Sequence, residues 1–171
     1  MTSSCNTITV RPLAGGERPL YRALRLRALE DAPGAFGSTL AREQALDDAD
    51  WAWRQGLAAS SGRDRPLVAE CGGEALGLAW AKVDAGDSQV VNLFQMWVAP
   101  EGRGQGVAAL LLAEAAGWAR SRGARSMELG VIEGNEAARR LYERAGFIPA
   151  GAPQPVRPGD TRLEQMMRLA L

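Results

Sequence analysis

The sequence contains no histidine, and Lys82 is its only lysine, so arginine supplies nearly all of its positive charge. Without histidine the chain lacks the commonest general base and the commonest metal ligand of proteins. Its two cysteines, Cys5 and Cys71, are too few for a metal cluster or a disulfide framework. Cys71 ends an apolar run and is predicted to be a small buried residue. Cys5 lies in a polar N-terminal segment, residues 1–6, that we expect to be flexible. No metal site is predicted.

An excess of one charge and a long apolar run are also missing. Basic and acidic residues number 20 each, so no basic field points to nucleic acid. No apolar run approaches the roughly 20 residues that span a bilayer, and the N-terminus does not resemble a signal peptide. A chain of 171 residues with 46% hydrophobic residues can bury a core. We expect one domain over residues 1–171, cytoplasmic, monomeric or homodimeric, with no nucleic-acid or membrane partner.

Apolar periodicity predicts the element order β-α-α-β-β-β-α-β-α-β-β. Strands are predicted at residues 8–13, 65–71, 75–83, 89–98, 126–132, around 147 and at 161–171, and helices at 17–29, within 35–61, at 104–122 and at 135–145. The unbroken apolar run at 89–98 is typical of a strand covered on both faces. Two strand–helix–strand units fill the second half of the chain. The fold class is therefore α/β (α+β), a mixed sheet with helices on both faces.

The stretch from Val98 to Ala108 joins an apolar strand to a helix through a glycine-rich turn. Such a turn leaves a row of backbone N–H groups without partners, which is a site for a phosphate or diphosphate. Gly104 and Gly106 have no Cβ, and Arg103 can add a charge-assisted contact. The alternative, a turn that only starts a helix, more often uses Ser, Thr, Asp or Asn as its cap. The turn is neither a Walker loop nor a convincing dinucleotide turn, because the residues that those motifs require do not follow.

A second motif runs from Asn135 to Phe147 and reads Asn-Glu-Ala-Ala-Arg-Arg-Leu-Tyr-Glu-Arg-Ala-Gly-Phe. On a helix, Asn135, Ala138 and Tyr142 lie along one side. Asn135 is a plausible N-cap and Gly146 a residue just beyond the C-terminus. Ala138 leaves room for a ligand, and Tyr142 presents a phenol nearby.

Together the two stretches resemble the GNAT superfamily of acyl-CoA-dependent N-acetyltransferases. Arg103-x-x-Gly106-x-Ala108 matches its pyrophosphate signature Q/R-x-x-G-x-G/A, and the second stretch matches its signature N-x-x-A-x-x-x-Y-x-x-x-G-F. The predicted element order agrees from Ile8 to Leu171. The resemblance implies a mostly antiparallel sheet and acetyl-CoA as co-substrate, with no metal. It also implies transfer of acetyl to a primary amine of a small molecule, by direct attack through a tetrahedral intermediate.

The resemblance places acetyl-CoA in a V-shaped opening between strands 89–98 and 126–132, opened by a bulge in the former. The pantetheine arm pairs with strand backbone, and an N–H near Trp97 or Val98 stabilises the oxyanion. Tyr142, as general acid, protonates the departing thiolate or holds it by a hydrogen bond. The implied cofactor-binding residues are Met96, Trp97, Val98, Arg103, Gly104, Gln105, Gly106, Val107, Ala108, Asn135, Ala138 and Tyr142.

The general base is not evident, because the strand 89–98 contains no acidic residue. An alkylammonium has a pKa near 10, so a proton must leave before the amine attacks. Glu128 and Glu43 are candidate bases, and a water chain to solvent is the alternative. Phe36 and Glu43 are candidate substrate-binding residues. Glu43 also begins an acidic stretch, Glu43, Asp47, Asp48 and Asp50, that could attract a cationic amine, and Trp51 and Trp53 could add an apolar wall.

Two other functions remain open. One is a domain that binds acyl-CoA without turnover, as a sensor or interaction module, since no acid lies on the fourth strand. The other is acetylation of a protein N-terminus or lysine rather than of a small molecule.

Overall fold

A computed structural model describes residues 7–171, except for the side chains of residues 57–59. Residues 1–6, with Cys5 and the segment predicted to be flexible, lie outside the described residues. The strands are β1 (Thr9–Pro12), β2 (Asp64–Cys71), β3 (Glu74–Val83), β4 (Val90–Val98), β5 (Ser126–Ile132), β6 (Ile148–Pro149), β7 (Gln154–Pro155) and β8 (Leu163–Ala170). The helices are α1 (Arg18–Asp31), α2 (Leu40–Gln44), α3 (Asp48–Ser61), α4 (Val107–Ser121) and α5 (Glu136–Arg144). None of the helices described is long and apolar enough to cross a membrane.

The strands form one sheet in the order β1-β2-β3-β4-β5-β8-β6, and β7 pairs with β8. All neighbouring strands run antiparallel except β4 and β5, which are parallel. The predicted mixed, mostly antiparallel sheet is therefore confirmed. The parallel pair arises because α4 connects β4 to β5 as a crossover helix.

Apolar side chains cover both faces of this sheet. Leu67 of β2 joins a core with Leu111 of α4, whereas the next residue, Val68, joins a second core with Tyr21 of α1 and Trp51 of α3. Successive side chains of a strand point to opposite faces, so one apolar strand serves both cores. The second core is aromatic: the Tyr21 ring meets those of Trp51 and Trp80 edge to face, at 5.7 and 5.3 Å between centroids.

The helical region 35–61 differs from the single helix predicted there. It holds the short helix α2 and the longer α3, and a three-residue 3-10 turn at Pro33–Ala35 precedes them. Asp47 caps α3 by accepting from the Asp50 N–H at 2.8 Å, while the Asp50 side chain accepts from the Asp47 N–H at 3.2 Å. The acidic stretch predicted to attract an amine is thus in part a capping box, in which carboxylates satisfy the free amides of a helix start.

A gap opens in the sheet between β4 and β5. Their register runs from Val90 opposite Ser126 to Asn92 opposite Glu128 and then stops. On its other side, β4 has one residue more than β3 between the pairs Leu78–Trp97 and Trp80–Phe94. Within this bulge Gln95 has φ +56°, a left-handed conformation that L residues other than glycine rarely adopt. The bulge predicted in this strand is therefore present, and it bends β4 away from β5.

Candidate functional site

A cavity of about 600 Å³ lies between the end of β4, the glycine-rich turn, the start of α4 and the side of α5. All the residues predicted to bind a cofactor line it except Gln105. The side chain of Gln105 instead donates to the Glu101 carbonyl at 2.7 Å, across the base of the turn. Two motifs separated by about 30 residues of sequence thus meet at one cavity.

Backbone amides without partners line the mouth of this cavity. Gly104 and Gly106 have φ of +73° and +80°, so the chain is not helical until Val107. The first α4 amide with an acceptor is that of Leu110, which donates to the Gly106 carbonyl at 3.1 Å. Within residues 7–171, the amides of residues 104–109 have no acceptor. A Cβ at Gly104 or Gly106 would meet no protein atom within 4 Å, so this surface is open to a ligand.

The edge of β4 directs further backbone polar groups toward the gap. The Ala99 N–H donates to the Leu76 carbonyl of β3 at 2.8 Å. Because N–H groups of successive strand residues point alternately to the two sides, Trp97 faces β3 whereas Val98 and Met96 face the gap. The Val98 carbonyl accepts from the Arg103 Nε at 3.2 Å, which agrees with this alternation. Of the two predicted oxyanion donors, the N–H of Val98 therefore has the required direction.

The Arg103 side chain is half exposed and has two partners at this edge. Its guanidinium is ion-paired with Asp31 at the end of α1. Asp31 also accepts from the Trp97 indole Nε1 at 2.9 Å, and that hydrogen bond, with the Arg103 charge, lowers the pKa of Asp31. The arginine, which also lines the cavity, is thus held there by Asp31.

Tyr142 is buried on α5, with its ring against that of Phe147 at 5.7 Å between centroids. In the described part of the chain its hydroxyl has no hydrogen-bond partner, although Tyr142 lines the cavity. Burial raises the pKa of Tyr142, so the phenol is protonated near neutral pH. A buried, protonated hydroxyl that faces a cavity can donate to an anion formed there.

The start of α5 is organised as predicted. The Asn135 side chain accepts from the Ala138 N–H at 3.2 Å and so caps the helix. Gly146, with φ +98°, follows the last turn. Ala138 lines the cavity, where its small side chain leaves space for a ligand.

A smaller cavity of about 190 Å³ lies in the gap between β4 and β5 and shares Phe36, Met96 and Tyr142 with the larger one. Two carboxylates, Glu128 and Glu164, line it. Glu128 is held by Arg168, whose Nε donates to Oε1 at 2.8 Å. The predicted candidate base Glu128 is therefore in the right cavity but ion-paired.

Residues 25–147 match the Acetyltransferase (GNAT) family. The chain belongs to this family. It is 34% identical over 145 residues, 82% of its length, to a mycothiol acetyltransferase from Stackebrandtia nassauensis. That match covers 44% of the relative, and the chain spans less than half the length of each curated relative that it matches.

Solved structures of the family share the fold. The GNAT-family acetyltransferase from Streptococcus pneumoniae superposes with a TM-score of 0.80 at 22% identity, covering 96% of this chain and 99% of that one. A structure from Salmonella typhimurium, solved with its cofactor acetyl-CoA, gives 0.77 at 23% identity and covers 97% and 95%. The predicted resemblance to GNAT acetyltransferases is confirmed.

Glu43, a predicted site residue, lies away from the cavities of this GNAT chain. It is 2% exposed and lines neither the cavity of about 600 Å³ nor that of about 190 Å³. Arg25 donates to both of its oxygens at 2.8 and 3.0 Å, and Arg54 approaches at 3.1 Å. Burial opposes ionisation, but these hydrogen bonds and charges outweigh it and lower the pKa of Glu43. A carboxylate enclosed by two arginines joins α1, α2 and α3, so the predictions of Glu43 as base and as substrate ligand are corrected.

The remaining predicted substrate residues divide between core and surface. Phe36 lines both the cavity of about 600 Å³ and the cavity of about 190 Å³. Trp51 is fully buried in the aromatic core and is not part of a pocket wall. Trp53 is exposed and, with Phe94, borders a third cavity of about 390 Å³ that reaches the bulge at Gln95.

The sequence around Glu164 contains no signal that it is a site residue. The residue lies in a strand that reads Leu163-Glu-Gln-Met-Met167, with no motif around it. Its position in the gap depends on the pairing of β8 with β5, in which Glu164 lies opposite Ile132, a residue distant in sequence. Gly130 is the one local signal, but its meaning appears only once Glu164 is known to lie against it.

Proposed function

We propose that the protein is an N-acetyltransferase that moves the acetyl group of acetyl-CoA to a primary amine of a small molecule. The observation that carries this proposal is the row of unpartnered amides at residues 104–109, which opens onto the same cavity as the free Tyr142 hydroxyl. The amides suit a diphosphate, and the Tyr142 hydroxyl suits a leaving thiolate.

The residues present fit acetyl-CoA. The amides of residues 104–109 can donate to its diphosphate, and the two glycines let the phosphates approach the backbone. The backbone groups of Met96 and Val98 that face the gap can pair with the amides of the pantetheine arm, as an added strand does, and the Val98 carbonyl then accepts from Arg103 as well. The cavity of about 600 Å³ lies within the range of ligand sites.

The acetyl thioester supplies the activated carbonyl, and the chain positions it. The amine nitrogen forms a bond to that carbonyl carbon, and the carbon–sulfur bond breaks. The N–H of Val98 or Met96 faces the gap and can donate to the oxyanion of the tetrahedral intermediate. Tyr142 gives its proton to the departing sulfur and is reprotonated by a proton that the nitrogen loses.

The third cavity supports a small acceptor. Its volume of about 390 Å³ admits a compact molecule, and it reaches β4 from the α1 and α3 side, opposite α5. The aromatic side chains of Trp53 and Phe94 border it, and its lining includes two carboxylates, Asp64 and Asp84, and two basic side chains, Arg54 and Lys82. The curated relatives are named for a small molecule, mycothiol, which is in keeping with this class of acceptor.

The test is release of free thiol from acetyl-CoA with a panel of polyamines, amino acids, aminoglycosides and a peptide with a free N-terminus. We expect thiol release with at least one small amine. Tyr142→Phe should lower kcat by about 10²–10⁴-fold and keep the acetyl-CoA affinity. Stabilisation by acetyl-CoA without thiol release would instead indicate a sensor, and turnover of the peptide alone a protein acetyltransferase.

A further inference from the structure

The carboxylate of Glu164 differs from that of Glu128, the other acidic residue that lines the gap, in having no partner among the described residues. It is half-buried on β8 and lines the cavity of about 190 Å³. Within residues 7–171 it forms no ion pair and no hydrogen bond, whereas the neighbouring Glu128 is held by Arg168. A desolvated carboxylate without a partner is uncommon, because burial penalises its charge unless something compensates.

The space for this carboxylate is provided by a glycine of the adjacent strand. Glu164 pairs with Ile132 of β5, and its side chain reaches diagonally across Gly130. A Cβ built on Gly130 would lie 3.0 Å from the Glu164 carboxyl carbon and closer still to Oε2. Any side chain at position 130 would therefore displace the carboxylate from the gap.

Gly130 and Glu164 lie at the part of the sheet where β4 and β5 no longer pair. Pairing of β4 with β5 ends at Asn92 opposite Glu128, so Gly130 lies two residues beyond, where the strands have separated. Met127 and Leu129 belong to the core beneath α4 and α5, and hence Glu128 and Gly130 point to the opposite face. Tyr142 enters the gap from the α5 side, and Glu164 enters it from the other.

We propose that Glu164 is the general base that takes a proton from the acceptor ammonium. This inference rests on the proposed function, for which it supplies the group missing from β4. The Glu164 carboxylate accepts one N–H proton and later releases it to solvent. The neutral nitrogen attacks the thioester carbon, the carbon–sulfur bond breaks, and Tyr142 protonates the sulfur. The second proton that the nitrogen loses restores the Tyr142 phenol. Burial raises the pKa of Glu164, which makes it a stronger base than an exposed glutamate.

The experiment compares Glu164→Gln with Glu74→Gln, an exposed glutamate in the β2–β3 hairpin, in thiol-release assays on the intact chain. With the best alkylamine of the panel, Glu164→Gln should lower kcat about a hundredfold or more, and the acetyl-CoA KM should not change. The same comparison is made with a fluorinated analogue of that amine, which is unprotonated at the assay pH. The loss should then fall to a few-fold, because no proton has to be removed before attack.

Gly130→Ala provides a second variant, which keeps the carboxylate but displaces it. It should lower kcat with the alkylamine and, like Glu164→Gln, spare the fluorinated analogue. Melting curves with and without acetyl-CoA check that both variants fold and bind. If wild type turns over and Glu164→Gln matches Glu74→Gln, or if its loss is equal for both amines, Glu164 is not the base. If wild type turns over no amine, the proposed function and the base fall together.

Discussion

Glu43→Gln should destabilise the protein strongly without removing a catalytic group. Gln keeps the shape of the side chain but removes the charge that faces Arg25, and the side chains of this pair are only 3% and 5% exposed. Arg25 then remains as a buried guanidinium with no counter-charge, and its Nη1 already lacks a hydrogen-bond partner. Arg54 also loses its contact with Glu43 at 3.1 Å.

Breaking a buried pair in this way costs about 3–5 kcal/mol of unfolding free energy. For a domain of this size each kcal/mol lowers Tm by about 2–4 °C, so the expected decrease is about 6–20 °C. Glu143→Gln is the matched control, because it breaks an exposed pair with Arg139 on α5. Exposed pairs contribute little, so the control should lower Tm by a small fraction of that amount.

The pH dependence gives the prediction a sign. The folded-state pKa of Glu43 is lowered, so its contribution to stability is present above the unfolded-state pKa of about 4.3 and is lost as pH falls. The difference in Tm between wild type and Glu43→Gln should therefore shrink as the buffer is made more acidic than about pH 4. Replacing both partners with apolar residues, Arg25→Met with Glu43→Leu, should recover most of the loss at neutral pH.

Calorimetric melting curves and thiol-release rates, measured below the transition of the variant, separate stability from catalysis. We expect a large change in Tm and a kcat within a few-fold of wild type. A Glu43→Gln protein that melts like wild type but has lost its activity would refute the structural role and restore Glu43 as a candidate base.

Two further substitutions test the cofactor cavity. Gly106→Val should weaken acetyl-CoA binding about tenfold or more by calorimetry, because its side chain enters the open side of the turn; Gly123→Val, with a similar φ of +77° at the other end of α4, should leave the affinity unchanged. An equal loss of affinity in both would show that backbone strain, not the ligand surface, is responsible. Asn135→Ala should lower stability by about 0.5–2 kcal/mol because the Ala138 N–H loses its cap, and Asn135→Ser should restore it; a stable alanine variant would remove Asn135 from that role.

The cofactor cavity could be predicted from the sequence because its determinants are local. A helix start without a capping side chain, the glycines at positions 104 and 106 and a cap at Asn135 are each visible within one short stretch. The structure contains each of these features: Gly104 and Gly106 both have positive φ, and Asn135 caps α5. Of the residues predicted to bind the cofactor, only Gln105, whose side chain closes the turn, does not line the cavity.

The surroundings of Glu43 and Glu164 were not predictable in the same way because they depend on long-range packing. Glu43 looks like any charged residue of an amphipathic helix, and only the approach of Arg25 and Arg54 from two other helices shows that it is buried. Glu164 acquires its position from the register of β8 on β5. Periodicity shows which face a side chain takes but not which neighbour it meets.

The bulge at Gln95 connects the aromatic core to the gap between β4 and β5. A left-handed glutamine costs on the order of 1–2 kcal/mol relative to an extended residue, and glycine would adopt this φ at less cost. Glycine, however, would lack the amide oxygen that accepts from the Tyr21 hydroxyl at 3.0 Å, a hydrogen bond worth about 1 kcal/mol. Tyr21 is itself fixed between Trp51 and Trp80. The aromatic core of α1 and α3 thus holds the bulge in place, and the bulge turns Met96 and Val98 toward the gap. The separation of β4 from β5 is therefore set from the opposite side of the sheet to the cavity proposed for acetyl-CoA, so substitutions at Tyr21 should alter turnover without changing the residues that line that cavity.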